Sequence, residues 1–219
     1  MASTERASPL AAWSGRFAQA SSAPARFRIG EAPLCAQINI RGDATSASFI
    51  EAARTILPFD LPVAANSWVG NTECSALWLG PDEWLVVAPD HRRVEISTAL
   101  QAALHSMHHS VTDVSANRTA IEVAGADARI VLAKGCPLDL HSEGFKPGQS
   151  AQTLLAKASI ILQCVDERPA FLIRVRNSFA DYLASWLVDA ASECARSRAL
   201  DTNRIAARLA GTSRVANGR

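Results

Sequence analysis

The chain lacks any apolar run approaching the ~18 residues that a membrane-spanning helix needs, which excludes a spanning segment. It also lacks the continuous apolar core of ~7–15 residues of a secretory signal, since Leu10 to Trp13 is far too short. Arg and Ser are frequent and acids few in this region, so composition leaves a transit peptide open beside a flexible arm. The eleven glycines hold neither GxGxxG nor GxxxxGK[ST], so a self-contained dinucleotide or nucleoside-triphosphate site is not expected. Cysteine is sparse and unpaired in pattern. Cys35, Cys74, Cys136, Cys164 and Cys194 form no CxxC, and their number is odd. They read as small hydrophobes in a reducing cytosol, not as a zinc site or disulfide framework. Net charge is also small, +1 from 22 basic and 21 acidic residues.

What is present is the composition of an ordinary globular domain, 48% hydrophobic and 20% charged. That excludes collagen-like, disordered and disulfide-dense classes. The near-neutral charge hides a split: residues 1–33 hold four Arg and two Glu, and residues 194–219 hold six Arg and one Asp. An acidic body therefore lies between two basic ends. The tail's Arg196, Arg198, Arg204, Arg208, Arg214 and Arg219 raise nucleic-acid binding. No aromatic accompanies them, so the stacking platform of a single-strand binder is missing. A solvated tail, or one docking on an acidic protein surface with Arg204 and Arg208 as contacts, is the preferred reading. Ile205 and Leu209 are turn-spaced for a short helix beside them.

Patterning begins near Leu34. Ile38 and Ile40 alternate with polar residues as a half-buried strand, Gly42 breaks it, and Asp43 is placed to cap a helix. Phe49, Ala53, Ile56 and Leu57 recur at helical spacing until Pro58. Ala64 to Cys74 reads as loop. Strands follow at Leu77–Leu79 and Trp84–Ala88 around a Gly80-Pro81-Asp82-Glu83 turn. A helix from Arg92 to Met107 buries Ile96, Leu100, Ala103, Leu104 and Met107. The second half has strands at Val111–Val114, Thr119–Val123, Gln152–Ala156, Ser159–Val165 and Phe171–Val175. Its helices run from Asp127 to Lys134 and along the stripe Phe179, Leu183, Trp186, Leu187 and Ala190.

The halves resemble each other. Ile38–Gly42 aligns with Ile121–Gly125, Leu77–Leu79 with Ile160–Leu162, and Trp84-Leu85 with Phe171-Leu172. The expected fold is α+β: two β-α-β-β-α-like halves with small, mainly antiparallel sheets covered by helices. The expected organisation is a flexible arm over 1–33, a first half over 34–109, a second over 110–195 and a basic tail over 196–219.

Candidate chemistry is thin, and we expect no catalytic, cofactor-binding or metal-ligating residue in this chain. Gly148-Gln149-Ser150-Ala151-Gln152 lacks the second Gly of a nucleophile elbow and leads into a strand, not a helix. His105 and His109 are four apart without HExxH, and the helix macrodipole accounts for cations there. Asp82-Glu83 and Asp166-Glu167 are adjacent in turns and point apart, which suits a solvated tip. Trp13 and Trp68, two of five Trp against a single Tyr, lie in segments read as loop. Each is either tucked onto the core or presented to a partner, and both are interaction candidates.

Three strings, LWLGPDEWLVVAP (Leu77 to Pro89), VTDVSANRTAIEVAGADA (Val111 to Ala128) and FLIRVRNSFADYLASWL (Phe171 to Leu187), resemble the γ subunit of heterotetrameric sarcosine oxidase. The resemblance spans about Leu34 to Cys194 and leaves both basic ends unmatched. That family is related in fold to the folate-binding aminomethyltransferase of glycine cleavage. The resemblance implies a bacterial, cytoplasmic complex with α, β and δ partners, α foremost, and no nucleic acid or membrane. It implies oxidation of sarcosine by O₂ to glycine and H₂O₂, with 5,10-methylenetetrahydrofolate formed. It also implies FAD, FMN, NAD, zinc and tetrahydrofolate in the other subunits and none in this one. The enzymatic rival is a free-standing folate-binding aminomethyltransferase-like protein, for which Asp113 is the candidate carboxylate.

Overall fold

The runs Ile38/Ile40 and Ile121/Val123 fall in one strand of each of two five-stranded antiparallel sheets. The computed structural model describes residues 6–21, 26–71 and 73–194. Sheet one has the order β3 (Trp68–Gly70), β4 (Ser75–Gly80), β5 (Glu83–Pro89), β2 (Cys35–Gly42), β6 (His109–Asp113). Sheet two has the order β8 (Ser150–Leu155), β9 (Ala158–Asp166), β10 (Ala170–Arg176), β7 (Arg118–Ala124), β1 (Arg28–Glu31). The helices are α1 (Ser14–Ala20), α2 (Ala47–Arg54), α3 (Arg93–Leu104), α4 (Ala128–Ala133) and α5 (177–194).

The two sheets follow one plan. Ile40 lies opposite Trp84 as Val123 lies opposite Phe171, and Ile38 opposite Val86 as Ile121 opposite Ile173. The third aligned pair does not keep its register. Leu77 faces Leu85, whereas the residue facing Leu172 is Gln163, not Ile160. The nine-residue β9 and a bulge at Ala170/Phe171 shift it.

The fifth strand of each sheet overturns the expected boundaries. β6 belongs by sequence to the second half but pairs with β2 in sheet one. Sheet two receives the equivalent edge strand from the N-terminal segment, since β1 pairs with β7 from Arg28↔Ala124 to Glu31↔Ile121. The described part of 1–33 is therefore not a flexible arm. Leu10, Trp13, Phe17, Phe27 and Ile29 are buried in the core of the second half. The segment also reaches the first half, where Arg6 donates to Asp90 Oδ1 at 2.5 Å and to the Cys35 carbonyl at 3.2 Å.

Each sheet carries helices on one face. Ala36, Ile38 and Ile40 of β2 and Trp84, Val86 and Ala88 of β5 pack with Phe49 and Ala53 of α2 and Ile96, Leu100 and Leu104 of α3. Ser46, not Asp43, caps α2, accepting from Phe49 N, while Asp43 holds the preceding turn by accepting from Thr45 N. The Phe49 ring stacks on Trp84 at 5.8 Å and covers Gly42 so closely that a Cβ there would meet Cε2 at 2.2 Å. On sheet two, α5 buries Ala180, Leu183, Ala184, Leu187, Ala190 and Ala191. That stripe is rotated from the expected one: Phe179 is exposed and Trp186 half-buried. Small alanines let the helix lie close to the sheet and turn the larger rings to its flank. No helix among the described residues is long and apolar enough to cross a membrane.

Candidate functional site

The faces opposite the helices meet each other, so β2 is covered on both sides and not half-buried. Leu77, Leu85 and Ile161 form the apolar centre of the seam, with Trp68, Leu79, Val87 and Val114 around them. Polar bonds cross it. Trp68 Nε1 donates to the Cys164 carbonyl at 3.0 Å, Gln152 Nε2 to the Leu79 carbonyl at 2.8 Å and Gln37 Nε2 to the Arg118 carbonyl at 2.8 Å. An isolated bridge links Ser67 and Gln149. The Ala64–Cys74 stretch expected as loop contains β3 because these contacts recruit Trp68 into a strand.

Asp113 closes the end of β6. Its Oδ1 accepts from Ser115 N at 2.9 Å and Ser115 Oγ at 2.5 Å, and its Oδ2 faces Arg93 Nη1 at 3.2 Å. Ser115 Oγ in turn accepts from Gln37 N at 2.8 Å. Partial burial raises the carboxyl's pKa, but the Ser115 bonds and Arg93 together outweigh it and leave it below the ordinary Asp value. The side chain is thus held as a carboxylate that ties β6 to β2.

The chemistry that sequence reasoning missed is cationic. Arg174 on β10 is 3% exposed, and its Nη1 donates to Gln163 Oε1 at 2.6 Å, an uncharged acceptor. Its Nε has no hydrogen-bond partner. Arg176, two residues on, lies directly opposite Arg118 of β7. Desolvation, and then the neighbouring Arg176, lower the pKa of Arg118, with Glu83 pulling weakly the other way. Only Ile173-Arg174-Val175-Arg176 alternates apolar and basic residues, which signals that Arg174 and Arg176 share a face but not that Arg118 joins them.

The other candidates are placed as follows. Trp13 is not presented to a partner. It lies in a 3-10 helix (Ala11–Trp13), 5% exposed, with Nε1 donating to Asp181 Oδ1 at 2.7 Å. Trp68 is half-buried in the seam. Arg204 and Arg208 lie outside the described residues, as do Ile205 and Leu209. His105 ends α3 while His109 opens β6, so they do not share a helix face. No group of His, Cys, Asp and Glu suited to a metal ion occurs among the described residues. Ser150 starts β8, 1% exposed, with Oγ donating to the Ser67 carbonyl at 3.2 Å. Asp82 sits at the β4–β5 hairpin tip, where Arg41 approaches it at 3.5 Å.

Two such sheets joined through a seam define an aminomethyltransferase-like fold. The chain superposes on glycine cleavage system aminomethyltransferase T from Bartonella henselae with a TM-score of 0.58 at 14% identity, over 80% of this chain and 48% of that one. It superposes on a chain of the heterotetrameric sarcosine oxidase from Corynebacterium sp. U-96 with a TM-score of 0.80 at 32% identity, over 86% of this chain and 95% of that one. The sarcosine oxidase subunit gamma of Corynebacterium sp. (strain P-1) is 36% identical over 87% of this chain and 92% of its own length. That of Arthrobacter sp. is 34% identical over the same shares. The family model described as "Sarcosine oxidase, gamma subunit family" matches residues 41–193. The chain belongs to the sarcosine oxidase gamma subunit family, whose chains are subunits of an oxidoreductase complex.

Proposed function

We propose that this chain is a non-catalytic subunit of a cytoplasmic heterotetrameric oxidase and packs on the folate-binding region of its α subunit. The complex oxidises sarcosine with O₂, yielding glycine and H₂O₂ while the one-carbon unit passes to tetrahydrofolate as 5,10-methylenetetrahydrofolate. Flavins and NAD then belong to α and β, zinc to δ, and the folate to α. The observation that carries this reading is the match along 95% of one chain of a heterotetrameric sarcosine oxidase. The local chemistry agrees with it. Asp113 and Ser150 are each engaged in bonds that hold strands together.

Co-expression with the α, β and δ chains followed by size-exclusion chromatography tests the reading. The chain is expected to co-elute with α, and its separate elution overturns the proposal. The fold likeness to aminomethyltransferase T favours one second reading, a free-standing folate-binding protein. Tetrahydrofolate binding by the chain alone, lost in Asp113→Asn, would establish that reading instead.

A further inference from the structure

Beyond the seam, the helix-free face of sheet two is not covered by sheet one. A recess of about 450 Å³ opens there, and Arg118, Arg176, Gln152, Leu154, Ser159 and Ile161 contribute to its walls. Leu154 is 48% exposed. Arg174 is on the same face, two residues before Arg176 on β10 and opposite Ile161 of β9.

Three features of this face call for an anion. First, Arg118 and Arg176 are directly opposite on adjacent strands, a like-charge pairing that destabilises a sheet. Second, no carboxylate among the described residues forms an ion pair with Arg118, Arg174 or Arg176. Glu83, which acts on Arg118 at longer range, is held by Asn39 Nδ2 at 2.8 Å and Arg41 at 3.8 Å. Third, Arg174 is buried with an amide oxygen in place of a counter-ion and with Nε unpartnered. A buried cation without a paired charge is costly and gains most from an approaching negative charge. The chain's own basic tail has the wrong sign to fill the recess, with six Arg and one Asp over 194–219.

We infer that this recess docks an acidic segment of another subunit of the oxidase, with a carboxylate received between Arg118 and Arg176 and an apolar residue laid on Leu154. Guanidinium groups accept a carboxylate in a planar two-point geometry, so the opposed pair forms a preset fork for one acidic side chain. Arg174 adds positive potential from behind without leaving the interior. The inference rests on the proposed membership of a complex and names the surface and the chemistry of the contact.

The test uses the co-expressed complex. Arg176→Glu alters an exposed residue, so a folding defect does not explain its effect. Arg118→Glu/Arg176→Glu reverses the whole fork. Both variants are expected to assemble more weakly at low salt, the double variant by about tenfold or more, and to lose much of the salt dependence of the unaltered complex. Arg118→Lys/Arg176→Lys keeps the charge but not the two-point geometry. It is expected to assemble, more weakly than the unaltered chain but better than the double glutamate variant, and to form carbodiimide cross-links from the new amines to carboxylates of another subunit. If the unaltered chain does not assemble, the complex reading and this inference fall together. If it assembles and Arg176→Glu and the double variant match it across salt concentrations, or the lysine variant cross-links only within this chain, the inference alone is overturned.

Discussion

The indole of Trp68 reaches from sheet one to the backbone of sheet two, where Nε1 donates to the carbonyl of Cys164 at 3.0 Å. This bond joins residues 96 apart in sequence and lies beside the apolar centre Leu77, Leu85 and Ile161. The seam is therefore an internal interface, closed by side chains that a single half cannot satisfy.

Trp68→Phe tests that closure. It replaces the indole by a smaller phenyl ring and removes the donor, so the Cys164 carbonyl loses the Trp68 bond. The expected loss is at least about 1 kcal/mol, the ordinary net worth of such a bond, with the lost indole volume adding to it. Urea unfolding of the variant measures it, and an unchanged midpoint would show that the bond contributes nothing.

The N-terminal segment gives a sharper test. Residues 10–31 supply an edge strand and five buried hydrophobic side chains to the second core. Trp13→Ala is expected to cost about 3–5 kcal/mol, the range for emptying a large aromatic site. Deleting residues 1–33 is expected to abolish stable folding of the chain. Thermal unfolding and soluble yield read both, and a truncated chain melting like the full one would restore the flexible-arm view.

Gly125 has φ +108, and a Cβ there would meet the Arg26 carbonyl oxygen at 2.4 Å and Phe27 N at 2.9 Å. Both contacts are backbone atoms leading into β1, so they cannot rotate away. Gly125→Ala is expected to destabilise by about 1–3 kcal/mol or more, through the strained backbone and a displaced edge strand. Hydrogen exchange should show the added loss of protection concentrated at β1.

The pH dependence follows from Asp113. Its pKa is lowered in the folded chain, so the unfolded chain binds the proton more readily in acid. Its contribution is present in full above the unfolded value of about 3.9 and is lost as pH falls through the lower folded value. Asp113→Asn is expected to flatten this acid limb while leaving the slope near neutrality unchanged. Urea unfolding as a function of pH distinguishes this from an equal acid limb in both proteins.

Much of the fold is legible from local pattern. The alternation of Ile38/Ile40 and Ile121/Val123, the Gly80–Glu83 turn and the Ile96–Leu100–Leu104 spacing each match an observed element. The alignment of Ile40 with Val123 and of Trp84 with Phe171 even anticipates paired positions in the two sheets. Three features were not legible. Gln37 looks like a solvent-facing residue but is 1% exposed, because another sheet and not water covers it. β3 is three residues long and exists through its partners Leu77, Ala76 and Ser75. The arginine face was hidden because Arg118 and Arg176 are 58 positions apart and become neighbours only through strand pairing.

By itself the sequence determined most of the strands and helices from β2 onward, and that they come in two similar sets, because side-chain periodicity is a local property of the chain. α1, β1 and β3 carry too little of it to be read that way. Only the tertiary structure decided which sheet each edge strand joins. β6 completes sheet one and β1 completes sheet two. An edge is chosen by the free backbone hydrogen bonds and open apolar surface it offers to a distant segment. Neither is encoded within the strand that arrives to fill it.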